Sequence, residues 1–438
     1  MSVGVASLRQ VIERWSRDQV LALAPDASSQ KAAQGVAAAA KWSLRGTTDG
    51  VLFGECKGSG AKPYLACVDL GEPAYRCSCP SRKFPCKHAL GLMLMWSADG
   101  VPVHEAAPQW VMEWLEGRAE RAAKSAAKIE TARTRAGSGE PAAPDGESVR
   151  HTRVAAGLAE LERWLADQVR QGLAGAAGHD WDGLAKRLID AQAPAVAGVV
   201  SRLGRVRAED GWPGRLLEEY ALINLLAVAY RRRAELPGPL ARTVLIRAGF
   251  PVTREEVLSG PAVRDLWDVL GRRDEEEDRL TARRVWLRGR RTGRAALVLS
   301  FAPQGQPLDA SLVTGTTIDA ELAYYPGAAP LRALVAIRHD RPDGVSAAPP
   351  GVAVEEALDE VARALGEDPW TESWPLVLAG VVPGQAALGG LPLHPRARDP
   401  WRLIAVSGGR PVTVATEWTP RGVRPLTAWD DDGTAVIL

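Results

Sequence analysis

Cysteine is scarce in this 438-residue chain, which contains only five. Long apolar runs are absent as well: no stretch approaches the eighteen residues of a membrane span, and residues 1–15 lack the apolar core of a signal peptide. We therefore expect a cytoplasmic protein without membrane contact, whose thiols stay reduced. The formal net charge is only +1, so nucleic-acid binding would need a local basic patch.

The motifs of familiar enzymes are also missing. The sequence contains no P-loop, no G-x-S-x-G nucleophile turn, no H-E-x-x-H metalloprotease helix and no G-x-G-x-x-G loop after a strand. The segment KGSGAKP (57–63) superficially resembles a phosphate loop, but it lacks the spacing and is interpreted as a hairpin turn. These absences favour a binding protein over an enzyme.

Apolar periodicity predicts a multidomain α+β protein. In the N-terminal unit (1–117), helices precede a strand-rich segment and a short helix, and the core of this unit lies at about 50–97. A basic helix and a flexible linker rich in Gly, Pro and Ala follow (118–150). Three or four amphipathic helices then predict a small bundle (151–275), and a mainly β or α+β domain is expected at 280–438.

The second half of the chain changes from a helical to a strand pattern. Around two prolines, the prediction is of further short helices through 237–275. Beyond Arg283, Gly and Pro separate apolar runs at intervals of roughly ten residues, which predicts strands, among them 401–409. One helix, at 352–368, interrupts them. We expect these strands to form a barrel or a sandwich.

Three of the five cysteines form one pattern with a histidine. Cys77, Cys79, Cys86 and His88 follow the spacing C-x-C-x6-C-x-H within twelve residues. Thiolate and imidazole are ligands that zinc prefers, and four of them complete its tetrahedral coordination. Because no position is left for water, the predicted site holds one structural Zn²⁺ ion and is not catalytic.

Local structure can bring these four side chains together. The C-x-C pair ends a predicted strand, so both thiols point to the same face. The C-x-H pair starts a predicted helix, where the two side chains converge only if Cys86 occupies the cap position. The alternatives are buried cysteines without a ligand, or a disulfide, which a reducing compartment disfavours. Cys56 and Cys67 are interpreted as small strand residues, with extra thiols near the zinc as the alternative.

The motif CSCPSRKFPCKH (77–88), with strands before it and a helix after it, resembles the SWIM-type zinc finger, whose pattern is C-x-C-x(n)-C-x-H. The resemblance covers about residues 1–117, where AAQGVAAAAKWSLRG and CKGSGAKPYLACVDL are similar to the approach to the finger in bacterial SWIM proteins. It implies binding to DNA or to protein, without an enzymatic role for the finger. Some bacterial SWIM proteins are encoded beside MoxR-type AAA+ ATPases and von Willebrand A-domain proteins, which makes these an implied class of partner.

Two groups of basic residues are candidate contacts for nucleic acid or a partner. Arg82, Lys83 and Lys87 lie in or beside the zinc loop, where they either contact phosphates or offset the negative charge of zinc bound by three thiolates. Six arginines lie within 283–294 with no acid among them, and the candidates there are Arg284, Arg288, Arg290 and Arg291. The alternative for this second group is a solvated surface, because the acidic run at 274–278 nearly cancels its charge.

The leading hypothesis is a non-enzymatic, zinc-stabilised interaction protein whose finger binds a protein or DNA. A protein partner is preferred because the net charge is near zero and the basic residues are scattered. The alternatives are a DNA-binding regulatory protein that uses the basic loop of the finger, and an enzyme with its active site in the C-terminal domain.

Overall fold

The structure is a computed structural model of the chain. It describes residues 14–438 with the exception of 59, 61, 72, 82, 137–143, 174–179, 278–279, 304–305, 307, 340–347, 398–399 and 431–432. Within this described part, no helix combines the length and the apolar character that crossing a bilayer requires.

Short helices and an antiparallel four-stranded sheet form the N-terminal unit. Its elements are α1 (Arg17–Ala22), α2 (Ala27–Val36), β1 (Trp42–Thr48), β2 (Val51–Cys56), β3 (Tyr64–Asp69), β4 (Ala74–Cys77) and α3 (Lys87–Ser97). A capping box between Ser16 and Gln19 starts α1, and the Asp26 carboxylate caps α2 by accepting the backbone N–H of Ser29. The predicted strands and helix of the finger are thus present, and β1 and β2 widen their sheet.

The sheet separates two apolar cores because successive side chains of a strand point to opposite faces. Leu52 and Val68 pack with α3 on one face. Val51, Phe53 and Cys67 lie on the other face, under the long helix α4 (Gln109–Ala136). The zinc-binding cysteines belong to the first face. One side of the sheet therefore carries the predicted metal site, and the other side packs against α4.

A helical domain follows α4. It comprises α5 (Pro144–Gln171), α6 (Trp181–Asp190), α7 (Pro194–Val206), α8 (Trp212–Arg231) and α9 (Gly238–Ala248). The short α10 (Arg254–Ser259) follows and packs against Ala323 and Leu334, outside this domain. A single core in which Leu161, Val200 and Tyr220 are buried joins α5 to α9. Most of the predicted linker, 137–143, lies outside the described residues, whereas 144–148 already belong to α5.

Of the two arrangements expected from the sequence, a barrel or a sandwich, five described strands form a closed barrel. They are β5 (Ala262–Glu277), β6 (Leu280–Gly289), β7 (Ala295–Pro303), β8 (Thr317–Tyr324) and β9 (Arg332–Arg338), in the closed order β5-β6-β7-β9-β8. Among these described strands, the β7–β9 pair alone is parallel. This strand order is that of the OB-fold barrel.

The expectation of helix up to residue 275 is wrong from residue 262 onward. There, Val263, Trp267 and Val269 recur at even spacing and enter the barrel core. The strand pairs with β6 on one side and with β8 on the other. This double pairing is a tertiary effect that outweighs the local propensity of a segment rich in Arg, Asp and Glu.

The C-terminal unit is a sheet of order β10-β13-β14-β15 with helices packed on one face. Its elements are α11 (Val354–Glu367), β10 (Trp374–Val381), β11 (Ala387–Leu388), β12 (Leu391–Pro392), α12 (Pro400–Ser407), β13 (Val412–Thr419), β14 (Gly422–Trp429) and β15 (Ala435–Ile437). The strand predicted at 401–409 is wrong, because this segment forms α12. Its inward residues Leu403, Val406 and Ser407 recur at helical spacing.

The other face of this sheet covers the outside of the barrel. Trp286 and Leu297 on β6 and β7 are buried against Val377, Ala415 and Leu426. The strands concerned include the second and third of the barrel, whose outer face is the surface that OB-fold barrels use for oligonucleotides and oligosaccharides. In this protein that face is part of an internal interface.

A buried group of charged residues lies beside this interface. Glu417, only 1% exposed, accepts hydrogen bonds from Arg273 on β5 and from Arg424 on β14. His394 is also buried, with its Nε2 atom 2.8 Å from an Arg424 guanidinium nitrogen. Burial, reinforced by Arg424 and Arg421, lowers the pKa of His394 to about 4, because a charged imidazole would be desolvated among cations.

This low pKa predicts a loss of stability in mild acid. Between the ordinary histidine pKa of 6.5 and about 4, His394 binds a proton in the unfolded chain but not in the folded one. The free energy of unfolding should therefore fall as the pH is lowered through this window, by up to about 3 kcal/mol from this residue. Urea unfolding followed by tryptophan fluorescence at pH 7, 5.5 and 4.5 measures the effect. His394→Gln should flatten the pH dependence, and an unchanged slope in that variant would contradict the assignment.

Candidate metal centre

The four predicted ligands come from two adjoining elements. Cys77 is the last residue of β4 and Cys79 follows two positions later. Cys86 is the N-cap of α3 in an extended conformation, with φ −75° and ψ 166°, and His88 lies in the first turn of that helix. Because Cys86 stands outside the regular helix, its side chain and that of His88 point to the same place, as the sequence required.

The donor atoms form one compact group. The three sulfur atoms and an imidazole nitrogen all lie within 4.8 Å of one another, and Cys77 Sγ is 3.7 Å from His88 Nδ1. A tetrahedral zinc ion with ordinary bond lengths holds its ligand atoms about 3.6–3.8 Å apart. Cys86 and His88 are buried, at 1% and 4% exposure. The donor set and its spacing therefore fit one zinc ion held for structure.

Backbone N–H groups point at each of the three sulfur atoms. The amide of Cys79 donates to Cys77, the amide of Ser81 donates to Cys79, and the amides of His88 and Ala89 donate to Cys86. Such donors stabilise thiolates, and those of Cys86 belong to the N-terminus of α3, where the helix dipole adds positive potential. The loop is thus folded around sulfur atoms that carry negative charge.

The thiols of Cys77 and Cys86 are hydrogen-bonded to each other. Cys77 donates a hydrogen bond to Cys86, and this bond is the largest cause that lowers the pKa of Cys86, to about 4. The same bond raises the pKa of Cys77. Bound zinc supplies the positive charge that allows all three thiols to be thiolates.

An aromatic contact that the sequence pattern did not indicate orients the histidine. The ring of Tyr64, at the start of β3, packs on that of His88 with a centroid distance of 4.9 Å and an interplanar angle of 31°. A fixed ring presents its nitrogen to the metal without a search among rotamers. Only spatial pairing of β3 with the start of α3 reveals this role.

The remaining two cysteines stand apart from the ligand group. Cys67 lies on the opposite face of the sheet, in the core under α4. Cys56 shares the apolar core of the finger, where burial raises the pKa of its thiol. Neither joins the cluster of potential ligands found among the described residues, which agrees with their interpretation as small strand residues.

The basic residues of the zinc loop have different environments. Arg82 lies outside the described residues. Lys83 forms an ion pair with Asp26, 2.7 Å away, and donates to Ser28. This pair holds the loop against the start of α2, and the lysine keeps the pKa of Asp26 well below its usual range. Lys87 is exposed in the first turn of α3. Lys83 thus has a structural role, and a contact role for these residues stays a prediction.

Two candidate arginines of the second group connect the barrel to the C-terminal unit. Arg284 and Arg288 flank Trp286 on the outer side of β6. Arg288 forms a bidentate pair with Glu360 of α11, at 3.0 and 2.8 Å, and Arg284 donates to the hydroxyl of Ser373. Glu360 is 72 positions away in sequence, so charge counting along the chain could not anticipate it.

The other two arginines brace the turn after β6. Arg290 pairs with the buried carboxylate of Asp268 at 2.9 Å. Arg291 donates to the carbonyl of Arg264, and its backbone N–H donates to the buried Asp265. All four candidate arginines therefore bond within the protein, which supports a structural interpretation; their role as contacts for a partner stays a prediction.

This geometry defines a zinc-binding interaction module, and comparison with known protein families agrees. Residues 67–97 match the family model of the SWIM zinc finger. Residues 149–248 match that of the SWIM-associated four-helix bundle domain. The chain therefore contains a SWIM zinc finger, whose three cysteines and histidine are positioned to bind one zinc ion. Searches of curated proteins and of solved structures found no match.

The ligand assignment predicts how single cysteine replacements affect zinc. The purified protein should carry about one zinc per chain by elemental analysis. Cys86→Ala should lose the metal and open the finger to proteolysis, because site binding contributes directly to folding. Cys67→Ala is the matched control: this cysteine is equally buried but lies on the other face, so the variant should keep its zinc. Full zinc content in Cys86→Ala would show that the ligand set is wrong.

Proposed function

We propose that the chain is a non-enzymatic interaction protein whose zinc finger binds another protein. The observation that supports this most is the internal use of cationic side chains. Lys83 and the four candidate arginines make hydrogen bonds or ion pairs within the protein. A cation that is already paired releases fewer counterions on meeting a phosphate, so these residues contribute little to DNA affinity.

The covered barrel face supports the same proposal. An OB-type barrel could bind a nucleic acid through its second and third strands, but Trp286 and Leu297 on those strands pack inside the protein. Nucleic acid would have to displace the C-terminal sheet to reach them. A role in protein assembly requires no such rearrangement.

The partner class follows from the family resemblance. We propose an AAA+ ATPase of the MoxR type or a von Willebrand A-domain protein as the partner of the finger. The helical bundle, the barrel and the C-terminal sheet, in this proposal, provide further assembly contacts.

DNA binding by the finger is the second candidate, and one observation favours it. Several lysines and an arginine on the N-terminal unit are exposed in the structure: Lys31, Lys41, Lys57, Lys62, Arg76 and Lys87. Cations distributed around a zinc-stabilised surface are suited to phosphate contact without base recognition. In this reading the chain would be a regulatory protein that uses its finger on duplex DNA.

Salt dependence distinguishes the two candidates. Fluorescence anisotropy with a labelled 20-base-pair duplex should show only weak binding, with Kd above about 1 μM at 150 mM NaCl. Binding to the purified ATPase or von Willebrand A-domain protein should be lost in Cys86→Ala and kept in Cys67→Ala. Tight DNA binding that weakens by about a thousandfold between 50 and 200 mM salt would instead establish the DNA candidate and overturn the protein one.

A further inference from the structure

A cleft separates the zinc finger from the barrel. Its volume is about 470 Å³, within the range of sites that bind small ligands or short peptide segments. The finger contributes Tyr75 and Phe84, α4 contributes Arg118, and the barrel contributes Arg338 together with the loop 308–312. Three separate parts of the chain therefore build its walls.

One polar group in this cleft has no partner within the described residues. The hydroxyl of Tyr75 is shielded from water and makes no hydrogen bond there. A phenol is protonated at neutral pH, so this group is an O–H donor. A buried donor without an acceptor costs free energy, and a ligand that supplies the acceptor would recover it.

The charges around the cleft indicate what that acceptor is. Arg118 is held by Asp69 and by the ring of Trp114, and Arg338 donates to the carbonyl of Ser311, so both guanidinium groups are fixed at the walls. Near the Tyr75 hydroxyl itself, the positive charges of Arg272, Arg283 and Arg338 outweigh the negative charge of Asp309. The positive surroundings of this hydroxyl suit a carboxylate, whereas the nearby Asp309 would repel a phosphate carrying two charges.

The rest of the lining is apolar and aromatic. Phe84 of the zinc loop and Leu308, Leu312 and Val335 of the barrel supply these surfaces. In a peptide with an acidic residue beside an apolar one, the carboxylate would lie at the Tyr75 hydroxyl and the apolar side chain would pack against Phe84. We propose that the cleft binds such an acidic peptide segment of a partner protein. The proposal rests on protein binding as the proposed function and adds the place and the chemistry of one contact.

A pair of short peptides tests the proposal on the full-length, zinc-loaded chain. Acetyl-Phe-Asp-Leu-amide should bind, as measured by saturation-transfer NMR, and acetyl-Phe-Asn-Leu-amide should bind at least about tenfold more weakly because it lacks the charge. Phenyl phosphate is the third probe. If it binds more tightly than the acidic peptide, or if the Asn peptide binds equally well, the proposal is wrong.

Variants of the cleft provide the second half of the test. Tyr75→Phe should lower the affinity for the acidic peptide by about tenfold. Arg338→Gln should lower this affinity as well. Tyr75→Phe should melt no lower than the wild type, because it removes only a buried hydroxyl without a partner. Tyr325→Phe, outside the cleft, is the matched control and should bind normally. Unchanged peptide affinity in Tyr75→Phe would overturn the proposal.

The outcome for the cleft is separable from that for the proposed function. The peptide measurements need no partner protein, whereas zinc-dependent capture of the purified partner needs no peptide. If the peptide does not bind but the partner is still captured, the proposal for the cleft is wrong and the protein-binding function stands. If the peptide binds but the partner is not captured, the cleft binds peptide and the proposed partner is wrong.

Discussion

The convergence of three thiols and one imidazole determines how the rest of the N-terminal unit is arranged. Within the described part of the chain, β4 is a strand of four residues that pairs with β3 alone, so its own hydrogen bonds fix it weakly. The described residues of the segment from Ser78 to Pro85 form no helix or strand. Zinc ties the end of this strand to the start of α3, which is buried along almost its whole length. A loop that apolar burial cannot order is thereby fixed between two ordered elements.

Arginine has a comparable joining role in the second half of the molecule. Arg288 reaches α11, while Arg273 on β5 and Arg424 on β14 share the carboxylate of Glu417. Buried pairs of this kind contribute little net stability relative to apolar packing, but breaking one partner leaves a charge without compensation. They therefore favour one arrangement of the C-terminal sheet on the barrel. Burial of apolar surface around Trp286 supplies most of the free energy that holds the two together.

Prediction from sequence succeeded where the deciding contacts are local. The ligands Cys77 to His88 and the cap position of Cys86 lie within twelve residues, so spacing and helix geometry sufficed. It failed at β5 and α12, where pairing with distant strands or packing on a sheet outweighs the local pattern. The ion pair of Arg288 with Glu360 and the ring of Tyr64 on His88 depend on the three-dimensional fold, and no local signal announces them.

The same spacing that builds the metal centre also places the walls of the cleft. Tyr75 precedes the ligand Cys77 by two positions on β4, and Phe84 precedes the ligand Cys86 by two. Both aromatic side chains are therefore anchored within one dipeptide of a metal-bound sulfur, although neither touches the metal. A zinc ion held by four protein ligands can in this way set the shape of a surface some residues away. The structural character of the site is thus compatible with a direct influence on what the protein binds.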